Sequence, residues 1–491
     1  MANEETINLE KTNSYPRSVP YIIGNEAAER FSFYGMRSIL PTFLVAQFFN
    51  PTLNPAMQTM AEAQANEYTH FFVSLAYTMP ILGAIMADWF FGKYKVILYI
   101  SIIYCLGHLF LAVFETNLEW FRYGLILIAF GAGCIKSCVS ANVGDQFNKS
   151  NEHLMSKVYG WFYFSINAGS VISTILIPWT YAMYGAQWAF GIPGILMAIA
   201  TIIFFAGRKQ YVKVSPAGIN RENFVSISLY SLFNIGKKKK GESLLDVAKA
   251  KYNPEKVEGI KAVWRVMSVF AFIPIFWAMW DQSLSEWVLQ ATKLDRNIFG
   301  YNLLPEQIQT VNPIFLLLFI PIFTYGVYPF FEKIGIKTTP LRRIGAGLVL
   351  TALSFVVIAL IQSKIDQGEH PSILWQIFAY LILSAGEVLV SITGLEYAYT
   401  QSPKAMKSTM SAIWFLTVAL GNVFVALINS SISNNGFFAQ LEGASYYWFF
   451  VGLITVFIIV YLFVSPRLKE RSYIVDPENE ILVAANAPHG Q

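Results

Sequence analysis

The chain of 491 residues is 55% hydrophobic and 16% aromatic but only 13% charged, about half the roughly 25% of an average soluble chain, which argues against a string of soluble domains. A net charge of +4 is too small to point to nucleic acid. The odd set Cys105, Cys134 and Cys138, all in apolar runs, fits neither a disulfide framework nor a metal site.

Residues 1–18 are polar, and no secretory signal peptide is read there. Apolar runs long enough to cross a hydrocarbon core of ~30 Å lie near 19–48, 68–91, 95–115, 120–144, 155–178, 186–206, 263–291, 306–331, 340–363, 371–400, 407–431 and 444–465. The expectation is an all-α integral membrane protein of 12 transmembrane helices. Its parts are an N-terminal tail (1–18), a six-helix bundle (19–206), a linker (207–262), a second six-helix bundle (263–465) and a C-terminal tail (466–491). Two such bundles around a central site are the layout of a major facilitator fold.

Lys and Arg concentrate in one set of loops: Lys11 and Arg17; Lys93 and Lys95; Lys149 and Lys157; the linker; Lys333, Lys337, Arg342 and Arg343; Lys404 and Lys407; and Arg467, Lys469 and Arg471. The alternate loops are nearly bare of cations, so both termini are expected in the cytoplasm. Within the linker, Phe224–Ile235 is an amphipathic stretch followed by Lys237–Lys240 and a helical pattern leading into the seventh span. It reads either as a surface helix drawn to anionic lipid or as a charged tie between bundles, and the second is preferred. It holds no further run of membrane-spanning length.

The first span carries Glu26, Glu29, Arg30, Tyr34 and Arg37, within an arc of roughly 140° on a helix. Four ionisable groups on one stripe must face water, ligand or partner helices. The second span places His70 toward its outer end, with Tyr77 two turns deeper, and ends in GAIMADWFFGKYK. Asp88 and Lys93 there resemble the loop signature of major facilitators and can pair across a helix end in one of two states. Lys136, deep in the fourth span, is too far from either surface to snorkel easily; it needs an anion, either the carboxylate of Glu26 or Glu29 or a ligand's. The fifth span offers Asn167. The seventh has Trp277 and Asp281 one turn apart, the latter placed to pair with His70 or Arg37. Asn312 and Trp414 add polar and aromatic lining. The tenth span carries Glu387 at mid-depth, facing the cavity, and Glu396 nearer the cytoplasm, expected in packing or in an inner ion pair.

Several of these stretches resemble one family. Glu26-Ala27-Ala28-Glu29-Arg30-Phe31-Ser32-Phe33-Tyr34-Gly35 is similar to the first-helix motif of the proton-dependent oligopeptide transporters. FYFSINAGS around Asn167 is similar to that family's second signature. GCIKSCVSA, LQAT, QTVN and GLEYAYTQSPKAMKS bring the likeness nearest to the animal intestinal-type peptide transporters. The resemblance implies that Arg37 and Lys136 hold a peptide carboxylate and Glu387 its amine. Asn167 and Asn312 would bind the backbone, and Glu26, Glu29 and Arg30 would link protonation to binding. Two departures stand out. A short loop, SKIDQGEHPSILW, replaces the large extracellular domain of the animal proteins, which suggests a bacterial inner membrane. Arg265 is kept, but Thr324 stands where an aspartate partner is expected.

The residues thus read as a cationic first bundle (Arg30, Arg37, Lys136) facing an anionic second one (Glu387), which suits a zwitterion of peptide length. The expectation is a monomeric, proton-coupled symporter of di- and tripeptides, driven by the gradient without a cofactor. Rival readings are a carrier of another small anion such as nitrate, which would have no use for Glu387, and a sensor that keeps the fold without transport. No nucleophile–base pair, metal cluster or repeated filter sequence favours an enzyme or a channel.

Overall fold

The computed structural model describes residues 14–468 apart from 51–56, 149, 217, 220, 240, 404 and 405. Residues 1–13 and 469–491 of the expected tails lie outside the described residues, as do Lys11, Lys149, Lys240, Lys404, Lys469 and Arg471 of the basic loops. In chain order the helices are α1 (Val19–Gln47), α2 (Gln58–Phe91), α3 (Lys93–Val113), α4 (Leu118–Gly144), α5 (Met155–Tyr184) and α6 (Ala186–Ala206). The linker follows with α7 (Phe224–Phe233), then α8 (Pro254–Phe270), α9 (Ile273–Ala291), α10 (Pro305–Lys333), α11 (Pro340–Asp366), α12 (Leu374–Thr400), α13 (Lys407–Ser433) and α14 (Ala444–Val464).

Ten of these helices, α2–α6 and α10–α14, are long and apolar enough to cross a membrane, and α8 with α9 makes an eleventh span bent by 48°. α1, at 29 residues, has the length of a twelfth and is less apolar because it carries Glu26, Glu29, Arg30 and Arg37. The spans sort into two cores. α1–α6 close around Phe33, Tyr104, Phe121 and Phe190, and α8–α14 around Trp287, Tyr380, Tyr447 and Phe450. Large apolar side chains such as Leu318 on α10 and Phe463 on α14 point outward, as lipid-facing surfaces do where no water has to be excluded.

The linker has a small core of its own, Ile227, Ala248, Val257 and Ile260. α7, at 10 residues, is about half the ~20 needed to span a bilayer. α8 begins at Pro254, where Asn253 accepts the Glu255 N–H at 2.8 Å, and runs on past residue 262. The end of the linker and the first part of the seventh span are therefore one helix, which breaks after Phe270 rather than at residue 262. Outside the membrane, hydrogen bonds from Lys249 and Lys261 hold the Asp246 carboxyl well below the usual carboxylate range.

What positions the site is the close approach of α5 to α1. A Cβ at Gly169 would lie 2.8 Å from the Ala27 carbonyl oxygen and 3.2 Å from the Phe31 nitrogen. Backbone cannot yield there as a side-chain end can, so Gly169→Val should destabilise the protein by about 2 kcal/mol. A lowered Tm of the purified protein in detergent checks this, and an unchanged Tm contradicts the packing.

Candidate functional site

On α1 the spacing of four places Glu26 beneath Arg30, whose Nε lies 2.7 Å from Glu26 Oε1 and 3.2 Å from Glu29 Oε2. All three are buried. Glu29 accepts no hydrogen bond among the described residues, so Arg30 is its nearest compensation. Lys136 does not pair with either glutamate. No carboxylate among the described residues lies within 4 Å of its Nζ, which instead sits 4.0 Å from the Tyr77 ring centre and 5.0 Å from that of Phe33. Arg30, on the same helix as both glutamates, reaches them first; Lys136, one helix away, is stabilised by aromatic faces.

About two turns further along α1, Arg37 Nη2 donates to Asp281 Oδ1 at 2.5 Å across the bundle interface. Both are 1% exposed. The Asn422 amide N–H₂ donates to the other oxygen, Asp281 Oδ2, at 2.7 Å and to the Val418 carbonyl at 3.0 Å. That leaves Asn422 Oδ1 to face His70 Nδ1 at 2.7 Å. The proton of neutral His70 must then sit on Nδ1, and Nε2, 2.9 Å from Ser285 Oγ, accepts from that hydroxyl. His70 thus reaches Asp281 through Asn422, not directly. Neither Asn422 nor Ser285 was singled out from sequence.

More bonds join the bundles on the same side, away from the basic loops. Thr42 donates to Glu306 at 2.6 Å, Thr174 meets Thr310 at 3.0 Å, Lys293 meets Glu62 at 2.8 Å, and Asn66 donates to Glu286. On the basic-loop side the bundles part around a cavity of about 650 Å³, lined by Asp88, Lys93, Lys136, Tyr159, Tyr399 and Trp414 among others.

From the second bundle, Glu387 Oε2 accepts from Trp280 Nε1 at 2.7 Å and from Asn312 Nδ2 at 2.8 Å. Asn312 also donates to Ser384 Oγ at 3.0 Å. Glu387 is followed at once by a π-helical turn, Val388–Ile392, a distortion often found at functional sites. Sequence reading had chosen Trp277 in this span; it packs edge-on against Trp280 at 5.5 Å and Trp414 at 6.0 Å, while Trp280 makes the polar contact. Tyr34, on α1 between Arg30 and Arg37, is half-buried and packs edge-on against Phe33 at 5.6 Å. Asn167 is half-buried and its Nδ2 donates to the Tyr163 carbonyl of its own helix at 2.9 Å.

The Asp88–Lys93 pair is not formed. Lys93 Nζ binds Asp145 at 2.8 and 3.0 Å, because the end of α4 lies beside the start of α3, whereas the Asp88 side chain is exposed. Glu396 meets Arg343 of α11 at 3.4 Å. Thr324 lies in that same crevice and donates to the Ile320 carbonyl. Arg265 lines a separate groove beneath the linker.

Two six-helix bundles, bonded together on one side and parted around a charged cavity on the other, define a membrane carrier of the major facilitator type. The model of the POT family (PTR2) matches residues 94–448, well over half of the chain. "Peptide transporter family 1" of Drosophila melanogaster is 39% identical over 375 residues, 72% of this chain and 49% of that one. Human "Solute carrier family 15 member 1" is 36% identical over 384 residues, 72% of this chain and 53% of that one. The chain spans about half the length of the curated relatives it matches. Among solved structures, the POT family transporter PepTSo is 36% identical with a TM-score of 0.85, over 93% of this chain and 99% of that one. An auto-inhibited POT family peptide transporter is 34% identical with a TM-score of 0.84, over 94% and 99%. The chain belongs to the POT family.

Breaking a buried ion pair by removing one partner leaves a stranded charge. Arg37→Gln and Asp281→Asn should each cost about 3–5 kcal/mol of stability, and the double variant distinctly less than their sum. A double-mutant cycle of thermal unfolding in detergent measures the coupling; additive losses contradict the pairing.

Proposed function

We propose that this protein is a proton-coupled symporter of di- and tripeptides, a carrier rather than an enzyme, working by alternating access. One observation carries the reading: Arg37 and Lys136 of the first bundle and Glu387 of the second bring opposite charges to the middle of one membrane interior. A peptide zwitterion matches that polarity, its carboxylate toward the cations and its amine toward Glu387. The Glu387 carboxylate is held by two neutral donors on one oxygen, and no donor among the described residues bonds the other. That oxygen is free to take an ammonium. Asn312 and Asn167 stand to bind the backbone between, and Tyr34, Tyr77, Trp277 and Trp414 form the wall.

Arg30 ties proton to substrate. While Glu26 and Glu29 are ionised they hold it; a proton on either releases part of that hold, and the guanidinium can turn to the peptide carboxylate. Lys136, with aromatic rather than acidic neighbours, is available without such a release. His70 joins the outer side of this system: a second proton on the ring puts a donor at Nε2, and Ser285 must then turn to accept. The Asn422 link carries the added charge toward Asp281, competing with Arg37 for that carboxylate and loosening the outer junction. Glu396–Arg343 and Lys93–Asp145 belong on this reading to the inner gate, with the termini cytoplasmic and the protein acting as a monomer in a bacterial inner membrane. No cofactor is required: one inward charge gains roughly 2.3 kcal/mol per 100 mV, or about 50-fold accumulation.

Uptake of labelled dialanine into proteoliposomes, inside-negative with an acidic exterior, tests the proposal. Accumulation should collapse with an uncoupler and be competed by tripeptide but not by alanine or nitrate. Nitrate movement without peptide movement overturns it. Glu387→Gln should lower the apparent affinity for dialanine at least about tenfold, as expected for a lost charge-assisted bond, while an N-acetylated dipeptide, lacking the ammonium, gains no advantage from the wild-type carboxylate. Equal loss for both peptides points to a packing defect. Glu26→Gln should abolish uphill accumulation yet preserve peptide exchange, measured as counterflow at equal pH; retained accumulation removes Glu26 from the coupling.

A further inference from the structure

The linker turns an apolar face outward. α7 buries Ile227 and Ser231 and exposes Val225, Leu229, Leu232 and Phe233, the i, i+4, i+7 and i+8 positions of one stripe. Phe233 is 81% exposed, and Ile235, just beyond the helix, is exposed as well. Leu229 and Leu232 line a groove of about 760 Å³ together with Leu244, Leu245 and the exposed Trp264. Trp264 Nε1 donates to Ser228 Oγ at 3.1 Å, which fixes α7 against α8, the leading part of the seventh span. An indole at the end of a spanning helix belongs at headgroup depth.

No ion pair within 4 Å among the described residues neutralises the charges beside this face. Three linker carboxylates are engaged elsewhere, Glu222 with Lys256 at 2.5 Å, Asp246 with Lys249 at 2.7 Å and Lys261 at 2.5 Å, and Glu258 with Lys249 at 2.6 Å, and Glu242, beside the lysine run, accepts the Lys239 backbone N–H at 3.2 Å without reaching an ammonium. Lys237, Lys238 and Lys239, four to six residues beyond Phe233, are exposed, and no carboxylate among the described residues lies within 4 Å of their ammonium groups. An apolar stripe closed by uncompensated lysines is the composition that binds an acidic bilayer surface. The linker is tethered to that surface at both ends, by α6 and by α8.

We infer that α7 is a membrane-surface anchor, with Val225, Leu229, Leu232 and Phe233 in the leaflet on the basic-loop side and Lys237–Lys239 on anionic lipid headgroups. The linker preferred from sequence as a solvated tie between bundles is instead pinned to the lipid, and its position depends on the charge of that leaflet.

The test uses the full chain in nanodiscs of phosphatidylcholine alone or with about 30 mol% phosphatidylglycerol, a typical acidic surface. A fluorophore on Phe233→Cys, in a background with Cys105, Cys134 and Cys138 replaced by serine, is read against spin-labelled lipid and aqueous iodide. The anchor predicts lipid quenching and at least about threefold protection from iodide in the acidic discs. Changing Lys237, Lys238 and Lys239 together to Gln should remove most of that gain, and a label at Lys251 should stay open to iodide. Iodide quenching at 233 that is equal in both discs, without lipid quenching, overturns the inference. Shielding from both quenchers means a protein cover and overturns it too. Amide hydrogen exchange of α7 in the unmodified chain gives an independent reading. Exchange should slow about tenfold in acidic discs, and rates that do not change with lipid charge overturn the anchor even if the labelled background fails to fold.

Discussion

A charge carried into a bilayer must find its compensation inside the protein, and this requirement organises the whole junction between the bundles. Arg37 and Asp281, from helices more than 240 residues apart in sequence, answer each other at the centre of it. Everything nearby adjusts to that pair: Asn422 takes the second carboxylate oxygen and thereby fixes which nitrogen of His70 bears a proton, and His70 in turn fixes the Ser285 hydroxyl. The glycine before Asn422 allows this. A Cβ at Gly421 would come 2.5 Å from the Pro274 carbonyl oxygen, so only the absence of a side chain brings α13 near enough to α9 for the amide to reach Asp281.

The same requirement is met by different means at different depths. Arg30 is neutralised within its own helix, Lys136 by aromatic faces, and Glu387 by an indole and an amide. Arg37 is thus answered by a carboxylate where the bundles are joined, whereas Lys136 and Glu387 are held only by neutral groups. On the POT-family reading, that inequality is what distinguishes gate from binding site.

Much of this was legible in the sequence. The twelve apolar runs, the interrupting linker and the charged stripe of α1 are local patterns, and local patterns survive folding. The charged stripe, the depth of the charges and the family resemblance marked Arg37, Lys136, Asn167 and Glu387 as candidates. Partner choice was legible only in part. Arg37 with Asp281 was among the readings and is formed, whereas Lys93, linked with Asp88 through the loop signature, binds Asp145. Trp277 was singled out because it shares a face with Asp281 one turn on, but Trp280, three residues along the same helix, is the one that bonds Glu387. Asn422 left no signal, since an asparagine in an apolar helix looks the same whether it joins two helices or positions a histidine. Those distinctions depend on helix rotation across an interface, which one-dimensional periodicity does not encode.

The 48° break between α8 and α9 has a mechanical meaning. α8 is rooted in the linker and packed on α7, while the segment beyond the break bears Trp280, Asp281 and Ser285. The two form a bent lever with one arm at the basic-loop surface and the other carrying the ion pair that joins the bundles. Tilting at one face is therefore converted into torque on the other. Such a lever lets forces at the basic-loop surface bias the joined side without any ligand spanning the distance between them.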